Sequence, residues 1–240
     1  MQANNKLALV PLGDQAVLVY WAREEQAQRW AERLQADAPP WLEDVVVAYV
    51  TVGVFYQADK VSYEQVCAYL QGLPLPEVSR PAGLSGRLWS IPVCYEEPFA
   101  TDLQQVAIHT GLAPAELIRL HYSVIYTVYA IGFVPGFPYL GYLPAGLSGV
   151  PRLPSPRREV PPGSVGIAGR QTGIYPLARP GGWHLIGRTP LTIVDVEQAF
   201  FPLKVGDRVR FYPISTNEFH LLAGRHLDDT FWHPCPHDQQ

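Results

Sequence analysis

The 240-residue chain is poor in cysteine, with three, and poor in charge, with 17% Asp, Glu, Lys and Arg. Cys67, Cys94 and Cys235 are far apart and odd in number, and no C-x-x-C occurs. That argues against a disulfide framework and a cysteine-based zinc site, no metal is expected, and a reducing cytoplasm fits best. No apolar run approaches the ~20 residues that span a bilayer. Residues 1–6 are polar, with no signal-peptide core behind them. A net charge of −4 speaks against a general nucleic-acid binder, because phosphate backbones are held by basic surfaces. Several catalytic signatures are also missing. There is no G-x-x-x-x-G-K-[ST], no H-E-x-x-H and no G-x-S-x-G around Ser164. The chain alone is short of catalytic equipment, which points to a binding module or to one part of an enzyme that a partner completes.

What is abundant is glycine (20), proline (24) and apolar side chains (48%), a balance that favours turn-rich β architecture over helix bundles. Residues 7–10 and 16–21 read as strands, 45–55 as two more. Residues 24–36 read as a helix with Ala27, Trp30, Ala31 and Leu34 on one face. Ser62 and Gln65 predict a capping box opening a second helix over 62–70. The expectation is a small α+β domain over 1–78, a Pro/Gly/Ser-rich linker over 79–86, a mainly β closed barrel over 87–214, and a peripheral tail over 215–240. Within the barrel domain, 87–95 reads as a strand. Thr101 with Gln104 is expected to cap a helix that Gly111 ends, and Pro114 to open another that ends near His121. The longest strand is expected over 122–133, and further strands over 184–187, 191–195 and 207–213.

Between them lies a distinctive segment. Residues 132–190 hold 12 of the glycines, 11 of the prolines, six arginines (152, 157, 158, 170, 179, 188), no lysine and one acid, Glu159. Its start, GFVPGFPYLGYLP, is apolar and too broken by proline and glycine for a helix or a plain strand. A long segment without regular structure inside a compact domain is usually functional or disordered. Its aromatic content speaks for order. Arginine without lysine suits planar carboxylate or phosphate groups, and backbone amides at 163–166 and 181–182 could add donors to an anion.

The candidate residues follow from these patterns. His109 and His121 fall at helix ends, where an imidazole can bond the last carbonyls; alternatively one reaches the barrel mouth as a proton shuttle or substrate donor. Gln171 both donates and accepts, which suits an amide or lactam, or else satisfies the loop backbone. The candidate catalytic set is His121, Gln171, Tyr175 and Arg188. Candidate substrate or partner contacts are Pro135, Gly136, Phe137, Tyr139, Leu140, Gly166, Gly181, Gly182 and Trp183.

GFVPGFPYLGYLP together with VPPGSVGIAGRQTGIYPLARPGGWHLIGRTP resembles the family of the 5-oxoprolinase B component. The same family is also known as allophanate hydrolase subunit 1, the carboxyltransferase-domain subunit, or the KipI-type inhibitor of a sporulation histidine kinase. PLGDQAVLVYW, IPVCYEE, DLQQVAIHTGL, LIRLHYSVIYTVYAIGF and VGDRVRFYPI extend the resemblance over residues 7–214. It implies a small α+β domain followed by a cyclophilin-like β-barrel. It also implies pairing with a cyclophilin-like C component and with an A component of the same enzyme. The implied activity is that of a hydrolase that uses ATP to open 5-oxo-L-proline to L-glutamate, the single chain being inactive. The alternatives it carries are a non-enzymatic kinase inhibitor and a carboxyltransferase component for urea or allophanate.

Overall fold

The computed structural model describes residues 7–74 and 86–233. The chain divides into two compact units, Met1–Gly83 and Leu84–Gln240. Most of the expected linker, over 79–86, lies outside the described residues, as does Cys235.

The first unit is an antiparallel sheet of β1 (Ala8–Pro11), β2 (Ala16–Tyr20), β3 (Leu42–Ala48) and β4 (Thr51–Tyr56), in the order β1-β2-β4-β3. Alternation decides its faces. Val17, Val19, Val52 and Val54 point into a core shared with Trp30, Leu34, Val66 and Leu70 of α1 (Glu24–Asp37) and α2 (Tyr63–Gly72). The Ser62 hydroxyl accepts from Gln65 N–H while the Gln65 side chain accepts from Ser62 N–H, so the expected capping box is present.

The second unit is a closed barrel. Its wall runs β12 (His184–Arg188), β9 (Ser164–Ala168), β10 (Gln171–Ile174), β7 (Pro138–Gly141), β6 (Ile125–Ile131), β13 (Arg208–Ile214) and β5 (Leu88–Cys94), and pairing of Arg188 with Cys94 returns β5 to β12. The α+β unit followed by a mainly β barrel read from the sequence is therefore the fold. The interior is filled by Ile91, Val93, Tyr126, Val128, Leu140, Val165, Ile167, Ile174, Ile186, Val209 and Phe211, with α3 (Leu103–Thr110) and α4 (Pro114–Tyr122) packed in the same cluster. A separate two-stranded ribbon joins β8 (Arg157–Val160) to β11 (Arg179–Gly181).

Several local expectations are corrected. Residues 132–190 are not a long loop: besides β12, which matches the strand expected over 184–187, they hold the five strands β7 to β11. Thr101 does not cap α3; the N-cap is Asp102, whose carboxylate is used elsewhere. Residues 191–195 form no strand, only bridges of Thr192 to His226 and of Asp195 to Phe200. Residues 215–233 are not a loose tail. They form α5 (Thr216–Leu222), capped by Ser215 and Glu218, and β14 (Trp232–His233), which pairs with Trp89 and Leu88 of β5. Leu227 and Phe231 from this stretch are buried in the barrel cluster.

Candidate functional site

The interior and exterior of the barrel wall separate the predicted residues. On β10, Thr172 points inward, so Gln171 and Gly173 point outward. The inward Thr172 belongs to a buried polar chain. Its hydroxyl donates to the Gly166 carbonyl at 3.1 Å and meets His121 Nε2 at 2.9 Å, while His121 Nδ1 meets the Tyr95 hydroxyl at 2.8 Å. Because the threonine proton is committed to Gly166, Nε2 carries the imidazole proton, and Nδ1 accepts from Tyr95. His121 is 0% exposed and stacks on Phe211 at 4.9 Å. Burial drives its pKa down to about 3, so the ring is neutral at physiological pH. Its ring therefore bonds neither the helix carbonyls nor a barrel mouth; it joins α4 to Tyr95, just past the end of β5, and to β10 inside the core. His109 is exposed on the last turn of α3.

The outer face is where GFVPGFPYLGYLP goes. Phe137 lies at the centre of a second small core, with Tyr175 at 5.2 Å, Trp183 at 5.6 Å, Tyr139 at 4.9 Å and Phe133 at 5.6 Å between ring centroids, mostly edge to face. Glycines of the barrel wall and of the neighbouring ribbon surround the rings because side chains there would collide with them. A Cβ on Gly173 would sit 2.8 Å from Phe137 Cζ, and one on Gly181 would sit 2.5 Å from the Tyr175 hydroxyl oxygen. Gly166 backs the same cluster, against Trp183 and Tyr175. Leu140 points the other way, into the barrel, and Gly136 is packed against Val194. Pro135 and Phe133 are exposed.

The connection from β7 to β8 folds back on the β9–β10 turn beside this cluster. Gly149 N–H donates to Gly169 O and Gly169 N–H to Val150 O, both at 2.6 Å; Leu143 N–H donates to Arg170 O at 2.8 Å. Leu153 N–H donates to Gly182 O at 2.7 Å, next to Trp183. Gln171 opens β10 at this turn, facing out between Gly141 and Ala168, with Tyr139 two residues from Gly141 along β7. Arg170 lies 4.4 Å from the Tyr142 ring centroid. Burial pushes the Tyr139 and Tyr175 hydroxyls up and the Arg152 charge opposes it, so both stay protonated donors at neutral pH. The result is a largely buried aromatic cluster on the outer wall, with Phe137 and Tyr175 at 2% and Trp183 at 5% exposure, Tyr139 half-buried at its edge, and Gln171 on the neighbouring strand.

Arg188 does not reach it. Arg188 pairs with Ser164 and Gln171 with Ala168, at opposite ends of β9. Four strand steps of about 3.3 Å plus two interstrand spacings of about 4.8 Å keep them apart. Arg188 instead donates to Pro162 O at 2.7 Å and lies near the Phe219 ring. The amides at 163–166 are not an anion cradle either: Gly163 N–H donates to Tyr175 O, Ser164 N–H to Pro161 O, and the rest lie in β9.

One contributor was invisible in the sequence. Asp102 Oδ1 accepts from Arg157 at 2.5 Å, and Oδ2 accepts from Leu185 N–H at 2.7 Å. This ties the start of α3 to β8 and β12 and so fixes the ribbon beside the aromatic cluster. No local motif signals a contact 55 positions apart.

A closed barrel of this topology behind an α+β unit, with a glycine-paved aromatic outer wall, defines a class. The carboxyltransferase domain, subdomain C and D, matches residues 7–202, and the chain belongs to that family. It is 36% identical over 229 residues to the B component of 5-oxoprolinase from Bacillus subtilis, covering 87% of this chain and 93% of the relative. The crystal structure of TTHA0988 superposes with a TM-score of 0.72 at 36% identity, over 84% of this chain and 40% of that one, so this chain spans well under half of that protein. The Kluyveromyces lactis urea carboxylase structure, at 17% identity and a TM-score of 0.68 over 90% of this chain and 22% of its own, shares the fold. No helix among the described residues is long and apolar enough to cross a membrane.

Proposed function

We propose that this chain is the B component of an ATP-dependent 5-oxoprolinase, opening 5-oxo-L-proline to L-glutamate with release of ADP and phosphate. In this reading it works in the cytoplasm, only when assembled with a cyclophilin-like C component and an A component. The observation that carries the proposal is the placement of Gln171 and Tyr139 on the same outward side of the β7–β10 pair, with Tyr139 edge-on to Trp183 and the Arg152 charge acting on its hydroxyl. The naming of the 36% identical relative supports it.

The chemistry divides naturally. A lactam needs its amide oriented and its carbonyl activated. Gln171 can accept from the ring N–H and donate to the carbonyl oxygen, and the half-buried Tyr139 ring on the same side of the sheet offers an apolar edge to the lactam. The glycine amides at 163–166, already bonded within the fold, do not fit a triphosphate cradle, so no nucleotide step is assigned to them. ATP activation and water attack fall to the partner components, and this chain holds and orients the substrate. The test is reconstitution. The purified chain alone should release neither glutamate nor phosphate from 5-oxoproline, and adding the two partners should release both. A verified assembly of all three components that releases neither would refute the proposal.

A further inference from the structure

Of the six arginines in residues 132–190, only Arg157 is ion-paired to a carboxylate among the described residues. Arg188 and Arg179 bond backbone carbonyls, and Arg170 covers the Tyr142 ring. Arg152 and Arg158 make no ion pair, cation–π contact or side-chain hydrogen bond with the described residues; Arg158 lies on the outer ribbon, whereas the backbone around Arg152 is held on both sides beside the β9–β10 turn. Just before Arg152, Val150 bridges Gly169 at the β9–β10 turn; just after it, Leu153 N–H bonds Gly182 O, with Pro156 packed against Gly182. The two anchors set Arg152 between the turn that leads into Gln171 and the residue that leads into Trp183. Its charge acts on the hydroxyls of both Tyr139 and Tyr175. A guanidinium with no internal partner is available to a planar two-oxygen anion, whose geometry matches its fork.

We propose that Arg152 anchors the carboxylate of the substrate and so sets the preference for an acidic lactam over a neutral one. The proposal rests on the 5-oxoprolinase reading. It divides recognition between two residues beside the same turn, Gln171 taking the amide and Arg152 the carboxylate. Arg152 is exposed, so its replacement leaves the core intact.

The test uses the assembled enzyme with 5-oxoproline as substrate and 2-pyrrolidinone, the same ring without the carboxylate, as competitive inhibitor. Arg152→Ala should raise KM for 5-oxoproline about ten- to a hundredfold, the range for a lost charge-assisted contact, with kcat changed less than the KM. The inhibition constant of 2-pyrrolidinone should be unchanged. Arg152→Lys should fall between, keeping charge but losing the fork, and Arg158→Ala, on the outer ribbon, should behave as wild type. If Arg152→Ala keeps the wild-type KM, or weakens 2-pyrrolidinone equally, the anchor is wrong while the function stands. If the wild-type assembly does not turn over 5-oxoproline at all, the function and the anchor fall together.

Discussion

Asp102 and Arg157, 55 positions apart, meet in an ion pair of 2.5 Å whose carboxylate side is 6% exposed and whose guanidinium side is 26% exposed. The carboxylate also holds Leu185 N–H, so one side chain joins a helix start, a ribbon and a barrel strand. Removing one partner of a buried pair leaves the other charge uncompensated.

Asp102→Ala should therefore lower unfolding free energy by about 3–5 kcal/mol. Asp102→Asn should cost less, because an amide can still accept from Leu185 N–H. Urea titration followed by tryptophan fluorescence measures both. A loss under about 0.5 kcal/mol for the alanine variant, typical of a surface change, would contradict the tie.

Gly173→Ala should be destabilising out of proportion to one methyl group, because the new Cβ meets Phe137 Cζ at 2.8 Å and the Pro138 carbonyl oxygen at 2.9 Å. Overpacking typically costs about 1–3 kcal/mol. The near-ultraviolet circular dichroism of the aromatic cluster should weaken with it. An unchanged spectrum and midpoint would mean that Phe137 does not lie on that wall.

His121 makes acid sensitivity calculable in sign. Its folded pKa, about 3, is below the ordinary 6.5, so between those values the unfolded chain binds a proton that the folded chain refuses. Its contribution to stability is full above about pH 6.5 and is lost as pH falls, at up to about 1.4 kcal/mol per unit. Unfolding measured from pH 7.5 to 4.5 should show a shallower acid slope in His121→Gln than in wild type, at lower overall stability. Equal slopes would mean that the imidazole is not held neutral.

The architecture is readable in the sequence where a single period dominates: the alternation in β2 and β4, the 3.6-residue stripe of α1, and the capping box at Ser62. It is hidden where geometry is long-range. Strand β12 is legible over 184–187, but β7 to β11 are short and carry glycines and prolines, some making room for Phe137 and Tyr175, so they look like loop to a reading by propensity. Gln171, Tyr139 and Trp183 are legible as candidates because they stand among those glycines. His121 is a candidate for its place at a helix end and Arg188 for its place in the arginine-rich segment, and the inward side of β10 and the far end of β9 place them elsewhere. Asp102 resembles the start of a capped helix, and only the folded barrel shows that its carboxylate faces Arg157.

Gln171→Ala should lower kcat/KM for 5-oxoproline in the assembled enzyme by about 10- to 100-fold, through loss of amide recognition. Arg188→Ala, at the opposite end of β9, should leave KM within about twofold and act mainly on stability. The reverse ranking would move the site to the Ser164 end of the strand.

The most direct measurement is a structure of the assembled enzyme with 5-oxoproline bound. The substrate should lie on the outer barrel wall, its amide within hydrogen-bond distance of the Gln171 side chain and its carboxylate facing Arg152. Substrate found inside the barrel, at Arg188, or wholly on a partner component would contradict it.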